Sequence, residues 1–441
     1  MSIQLMSALA WLLLGGLGLW LLLEIAVRRY LEWPLPRDFY GSLGREKVPE
    51  RQAKHGVKAA TGPGWVHLGW IADPDRETYR VERRVNDRWE PAGRLRFGSF
   101  LTREPGGSYR VWAVSKTDGD PRLLGEATAQ PARDIPPVLV PRIRGPWRTL
   151  FQPREHGDYV NDHMIYQDAE GHWRLVGITS KGNGDFADET TFAVGVSRDF
   201  PPPEGMREAS SLADFGELAW APHVIQHDGT YHMFWSPHKL HQMTSPDGIH
   251  WEQHRITMAA PYHRFFRDGM VLQVAESQWL LYATARGRYY SQVDIYQSFD
   301  LSEWQYIRTA LACSWGSERN SPFASTESPC VTCHEGRYYL SVTYNNNSFF
   351  WPGILLLFKI WPGRESYNDT LVFHSDTPYD FGTYRGKKRS PTLLTQLEAH
   401  APTLVRHPET GAWYITTAGW PWVSSLTRGE VAVAPLEWEE I

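Results

Sequence analysis

"HMIYQDAEGHWRLV" (163–176) is an apolar run, a polar turn and a tryptophan that opens a second apolar run. The plan returns in "HVIQHDGTYHMFW" (223–235), "GMVLQVAESQWLLYA" (269–283), "CVTCHEGRYYLSV" (330–342) and "TLVRHPETGAWYITT" (403–417). Short apolar runs flanking a turn are the signature of paired antiparallel strands. The aromatics after the turns, Trp173, Tyr231, Trp279, Tyr338 and Trp413, lie 58, 48, 59 and 75 residues apart, room for four strands and variable loops in each copy. "SPDGIHW" (245–251) and "SFDLSEW" (298–304) share Ser-x-Asp-x-x-x-Trp and mark an outer strand. Five units over 147–441 predict an all-β fold, a five-bladed β-propeller, in which each sheet buries its faces against its neighbours.

Residues 57–133 precede this array with a different rhythm. Val66, Leu68 and Trp70 recur at period two, as do Tyr79, Val81 and Val85, then Tyr109, Val111 and Ala113. "DPDRE", "REPGGS" and "KTDGDP" punctuate the runs as turns. A small β-sandwich is expected. The order "VHLGW…YRVERR…WEPAG…YRVWAV…LLGEAT" resembles a fibronectin type III domain, which implies a spacer or docking module. "DIPPVLVPRIRGP" (134–146) reads as a Pro-rich hinge.

The first residues are of another kind. "LMSALAWLLLGGLGLWLLLEIAV" (5–27) is long enough to span a bilayer as one transmembrane helix, with Glu24 its only charge. No basic n-region or small-x-small site marks a cleaved signal, so a retained anchor over 1–29 is expected, followed by a charged juxtamembrane linker over 30–56. Arg28 and Arg29 follow the span and no Lys or Arg precedes it, which by the positive-inside rule places the body in the cytoplasm. The chemistry below belongs on the other side, and the expectation leans to an extracytoplasmic body.

The chain has 441 residues, 21 Trp, 20 Tyr and 18 Phe, a richness that suits β cores and also the stacking of rings on sugar faces. A net charge of −5 argues against a nucleic-acid partner. Cys313, Cys330 and Cys333 make no disulfide framework. Cys330 and Cys333, three apart on a strand, point to opposite faces and read as buried thiols without a metal.

The acids carry the chemistry. Asp162, Asp268 and Glu327 each stand 11 residues before a marker aromatic, Trp173, Trp279 and Tyr338. The other two copies place His223 and His400 8 and 13 residues upstream of Tyr231 and Trp413. Innermost strands surround a propeller's axis, so their leading ends meet in one pocket. Like charges brought together raise one another's pKa, and one carboxyl then keeps its proton near neutral pH. A protonated acid facing an ionised carboxylate is what glycoside cleavage requires.

At these residues a family resemblance emerges. "VND" (160–162), "FRDGMVL" (266–272) and "STESPCV" (325–331) resemble the three acidic blocks of the five-bladed furanosidase clan, glycoside hydrolase families 43, 62, 32 and 68. "AWAPHVI" (219–225) resembles the Trp-Ala-Pro-Asp block of family 43, with His223 in place of the acid, and "HAPTLV" (400–405) resembles its fifth-blade His block. The resemblance implies Asp162 as water-activating base or nucleophile, Glu327 as general acid, and Asp268 as the residue that orients sugar and tunes Glu327. Arg267 and Asn161 are similar to neighbours in the fructan-active families. His163 and Gly269 depart from the pattern by replacing the proline that follows each Asp.

Asn161, His163, Trp220, His223, Arg267, Tyr344 and His400 are thus expected to bind substrate. Phe265, Phe266, Trp420 and Trp422 join Trp220 and Tyr344 as candidate stacking rings. No cofactor is expected, save that the resemblance admits a central calcium ion near His400. The acids of "GNGDFADET" (182–190) read as a solvated loop. The sequence therefore points to a membrane-anchored hydrolase of furanosyl-type linkages (arabinosyl, xylosyl or fructosyl) in an oligo- or polysaccharide. Two alternatives stay open: a non-catalytic propeller that binds glycan or scaffolds a membrane complex, and glycosyl transfer or phosphorolysis, with Arg267, Arg286 and Arg288 available for phosphate.

Overall fold

Gly18 and residues 56–441, except 105, 118–119, 131–133, 156, 181–187, 213, 260, 263–265, 287–290, 314–324, 346–367, 386–389 and 422–425, are described by a computed structural model. The apolar stretch 5–27, Gly18 apart, lies outside them, as does the linker 30–56 save its last residue. Among the described residues no helix is long and apolar enough to cross a membrane.

The fold is all-β. Two sheets form the N-terminal sandwich. Lys58–Gly62, Trp65–Gly69 and Ser99–Thr102 make one, and Arg88–Leu95, Glu77–Val85, Gly107–Ser115 and Pro121–Ala129, in that order, make the other. Its core gathers Val66, Leu68, Trp70, Tyr79, Val81, Tyr109, Val111 and Ala113, the inward set of the period-two pattern, with Phe100. Val85, expected with them, is only partly buried.

Five further sheets follow, and each begins with one of the repeats. The first holds His163–Gln167, Trp173–Thr179, Thr191–Ser197 and Arg207–Ala209; the second holds Trp220–His227, Thr230–Ser236, Leu240–Ser245 and Glu252–Met258. The third holds Arg267–Ala275, Gln278–Arg286, Ser291–Ser298 and Gln305–Cys313, with Gly382–Tyr384 added in parallel; the fourth holds Ser325–His334, Arg337–Asn345, Asp369–Ser375 and Leu393–Glu398. Each marker aromatic lies at or next to the start of its sheet's second strand.

The fifth sheet is made from both ends of the array. Leu404–Arg406, Trp413–Thr417 and Val431–Glu440 come from the C-terminus, while Leu139–Ile143 pairs with the last strand in the register Leu436↔Ile143 to Glu440↔Leu139. Arg148–Phe151 pairs with the same strand further along. The expected hinge over 134–146 is therefore corrected: its residues 139–143 are an outer strand, because their amides complete the ladder of Val431–Glu440. Thr403 Oγ1 donates to the His163 carbonyl at 3.0 Å, and Gly419 N–H donates to the Val160 carbonyl at 3.2 Å, so the fifth sheet is tied to the head of the first.

The sandwich is docked rather than tethered loosely. Trp65–Gly69 is buried on both faces: Val66 and Leu68 point into the sandwich, while Trp65 and His67 point at the repeat array. Trp65 Nε1 donates to the Asp376 carbonyl at 2.6 Å, and the His67 ring stacks on Tyr379 at 3.8 Å. Gln297 Nε2 donates to the carbonyls of Trp70 and Gly98 at 2.9 and 2.8 Å. Gly98 is required here, since a Cβ would overlap the Trp70 backbone carbonyl. Replacing Gln297 by Ala removes the donor to the buried Trp70 carbonyl and leaves the Gly98 carbonyl with the Trp70 N–H alone. Unfolding in urea is expected to show a loss of roughly 1–3 kcal/mol, and a loss below roughly 0.5 kcal/mol, the scale of an ordinary surface substitution, contradicts this account of the junction.

Candidate active site

The leading residues of the repeat strands share a backbone device. Ala221, Asp268, Ser328 and Ala401 adopt φ of 48°, 56°, 51° and 44°, the left-handed region that non-glycine residues enter at a cost. In the second, third and fourth sheets the ladder is interrupted at this point, between Trp220 and His223, Arg267 and Met270, and Glu327 and Cys330. An interruption of this kind bends the strand and re-aims a side chain. Asp162 comes from the first sheet without it, held by Asn161 N–H on the Ile178 carbonyl at 3.0 Å and Ile178 N–H on the Asp162 carbonyl at 3.1 Å.

Asp162, Asp268 and Glu327 meet through Arg267 and Ser328. The Arg267 guanidinium donates to Asp268 Oδ2 at 3.1 Å and to Glu327 Oε2 at 2.5 Å. The Ser328 hydroxyl donates to Asp162 Oδ1, and its N–H donates to Asp268 Oδ2 at 3.1 Å. Asn161 Nδ2 closes the set on Asp162 Oδ2 at 2.9 Å. All three acids are at least nine-tenths buried, and Glu327 Oε1 is buried without a hydrogen-bond partner. Ser328 was not among the expected site residues. Its place after Glu327 was visible, but its bridging role depends on a left-handed φ that the sequence did not reveal.

Burial and crowding set the charge state. Burial pushes Glu327 up to about 7 against the pull of Arg267, with the negative charges of Asp268 and Asp162 adding to the rise. Asp268 is pushed up to about 6 by the same loss of solvent, with Arg267 opposing and Asp162 assisting. Asp162 is also raised by burial, while the Ser328 hydroxyl favours its anion.

Glu189 is a fourth buried acid. It belongs to the stretch 182–190 expected to be a solvated loop, and that expectation is corrected at this residue, which is 1% exposed. Tyr159 Oη donates to its Oε1 at 2.5 Å and Trp420 Nε1 at 3.0 Å. Burial pushes it up to about 7, and the nearby charge of Asp162 contributes. Residues 182–187 lie outside the described residues. Glu189 follows no repeat offset, so nothing local distinguished it from its exposed neighbours.

The remaining expected site residues divide. His163 and His223 tie sheets together: His163 Nε2 lies 2.7 Å from Thr416 Oγ1, and His223 Nε2–H donates to the Val271 carbonyl at 3.0 Å. Burial lowers both imidazoles to about 4, so they are neutral at physiological pH. Tyr344 and Phe266 belong to hydrophobic cores, and Tyr344 packs its ring on Tyr384 at 5.5 Å. Trp220 is half-buried against the core shared by the first and second sheets. His400 is buried with its ring 5.8 Å from Trp420. Phe265, Trp422 and Arg288 lie outside the described residues, as does the Arg286 side chain.

Among the described residues no trio of His, Cys, Asp or Glu ligand atoms gathers at His400, where the resemblance admitted a calcium ion. Of the thiols, Cys330 is half-buried and Cys333 exposed, which corrects the expectation that both are buried.

No family model and no curated protein matches the chain. Among solved structures it is similar to a thermostable family-43 glycoside hydrolase at 14% identity, over 65% of this chain and 92% of the other, with a TM-score of 0.46. It is similar also to an alpha-L-arabinanase of Penicillium chrysogenum complexed with arabinobiose (13% identity, 68% and 98% covered, TM-score 0.43). A third is an alpha-L-arabinofuranosidase of Podospora anserina in complex with cellotriose (10% identity, 66% and 96% covered, TM-score 0.46).

The raised carboxyls make stability depend on pH. Between the ordinary glutamate value of 4.5 and about 7 the folded chain keeps a proton on Glu327 that the unfolded chain has released. Stability from this group is thus lost as pH rises through that window. In Glu327→Gln the loss is absent. The melting temperature of the variant relative to wild type is expected to climb between about pH 5 and about pH 8, and a difference that stays flat or falls refutes the assignment.

Proposed function

We propose that the chain is a membrane-anchored glycoside hydrolase of furanosyl-type linkages. Its anchor is 1–29 with the span at 5–27, its linker 30–56, its fibronectin type III-like module 57–133, and its catalytic body a five-bladed propeller. The body begins at 139, the first residue of the strand that closes the fifth sheet. The observation that carries the proposal is the meeting of Asp162, Asp268 and Glu327, from three sheets, around one cation. Three buried carboxyls with one guanidinium among them, paired to Asp268 and Glu327, cannot all ionise readily, and the surplus proton is the one that chemistry at a glycosidic oxygen needs.

Each group then has a part. Glu327, pushed up to about 7, donates its proton to the leaving oxygen. Asp162, fixed by Ser328 and Asn161, serves as the water-activating base or as the nucleophile. Asp268 holds Arg267 and Ser328 in place, and through Arg267 controls how readily Glu327 parts with its proton. The motif resemblance of the three acidic blocks supplies the furanosyl class. A separation of the two reacting carboxyls of about 5–5.5 Å goes with retention and about 6.5–9.5 Å with inversion.

The second reading is a propeller that binds glycan without cleaving it. Its support is Arg267, which already occupies oxygens of both Asp268 and Glu327. Turnover on arabino-, xylo- and fructo-oligosaccharides separates the two. Glu327→Gln and Asp162→Asn are expected to lower turnover on the order of 10²–10⁴-fold while the far-ultraviolet spectrum is unchanged. Near-wild-type turnover in either folded variant overturns the hydrolase reading. Glycan binding without turnover, indifferent to Glu327→Gln, establishes the second. Since Glu327 acts in its protonated form, kcat/KM is expected to fall as pH rises through about 7, and a rate that rises there reassigns the acid.

A further inference from the structure

On the last two strands of the second sheet and the segment that leads into its first, three ligating side chains converge. We propose that Glu217, His241 and His254 bind a divalent transition ion, with zinc the best match. His241 Nδ1 and His254 Nε2 lie 3.0 Å apart, Glu217 Oε1 lies 3.7 Å from His241 Nδ1, and all three ligand atoms fall within 4.8 Å of one another. Zinc bonds of about 2.0–2.1 Å at a tetrahedral angle set neighbouring ligand atoms roughly 3.3 Å apart. His241 Nδ1 stands within a few tenths of an ångström of that spacing from each partner, and rotation of the partly exposed Glu217 side chain closes the remaining Glu217–His254 distance.

The sheet explains why the imidazoles face each other. His241 on Leu240–Ser245 pairs with Ile256 on Glu252–Met258, so His254 is its diagonal neighbour on the same face. Gln253, in the left-handed region at φ 56°, makes the irregularity just before His254. Trp235, fully buried, stacks on His241 at 5.2 Å and on His254 at 5.1 Å, which fixes both ring planes. Rings held in this way lose little freedom on binding.

The ligand set selects the ion. Two neutral imidazoles and a carboxylate suit zinc and its first-row neighbours, whereas calcium and magnesium require oxygen ligands. His254 is exposed and Glu217 is 39% exposed, so the fourth position opens to solvent and takes water. Without the ion the two nitrogens can share only one proton between them.

The site also has a structural consequence. Glu217 lies two residues before Ala219, whose N–H donates to the Glu189 carbonyl at 2.8 Å. A bound ion staples this segment to the outer strands and so steadies the backbone that carries Glu189.

The test uses the full chain without an affinity tag, stripped with chelator and titrated with zinc chloride alone. Native mass spectrometry and calorimetry are expected to show one zinc per chain, with a rise in melting temperature on loading. His254→Ala removes an exposed side chain and leaves the core intact. It is expected to weaken binding by roughly 100-fold or more, since even partners of a ligand are worth 10–100-fold. Glu217→Gln is expected to weaken it in the same direction while the circular dichroism spectrum is unchanged. A wild-type chain that takes up no zinc, or zinc binding that survives both substitutions, overturns the proposal and leaves an imidazole–imidazole hydrogen bond.

Discussion

The site depends on closure of the array by a strand from its own beginning. Leu139–Ile143 pairs with Val431–Glu440 and completes the fifth sheet, joining segments nearly three hundred positions apart in sequence. Thr403 and Gly419 then fix the fifth sheet to the head of the first, where Val160, Asn161 and Asp162 lie. Without that closure the first sheet has no neighbour on one side, and Asp162 has no fixed place relative to Asp268 and Glu327.

Where the three acids meet, desolvation outweighs attraction. One guanidinium cannot neutralise three carboxyls, and a buried carboxylate is costly unless paired and hydrogen-bonded. Proton uptake is the cheaper response, which is why Glu327 and Asp268 rise in spite of their ion pairs with Arg267. Glu189 rises for the same reason on the other side of Asp162. Donors with fixed positions, Ser328, Asn161, Tyr159 and Trp420, orient these acids without supplying positive charge. The arrangement combines rigid placement with a proton available near neutral pH.

Histidine and aromatic side chains show how the same residue types serve two ends. His163 and His223 head apolar strands like the acids do, yet their rings bond across sheet boundaries. Tyr344 and Phe266, flat rings near strand ends, fill cores. His67, from the sandwich, is buried against the third and fourth sheets, where it stacks on Tyr379 and meets Gln278 at 3.3 Å. The sandwich is thereby fixed to the array by polar contacts as much as by apolar burial.

The repeat was legible in the sequence because sheet formation is local: an apolar run, a turn and an aromatic specify a strand pair wherever they occur. Equal offsets from the marker aromatics therefore named Asp162, Asp268 and Glu327, since equal distance along equivalent strands means equal height in equivalent sheets. What the offsets did not contain was the partner of each acid. Ser328 bridges because its backbone turns left-handed, and Glu189 is buried because Tyr159 and Trp420 arrive from distant segments. The strand Leu139–Ile143, among prolines, had the composition of a hinge, and only its pairing with the C-terminus made it part of a sheet. The sequence by itself determined which strands form and which acids lead them. The tertiary structure decided which groups lose their water together, and that shared loss of solvent sets the protonation of the buried acids.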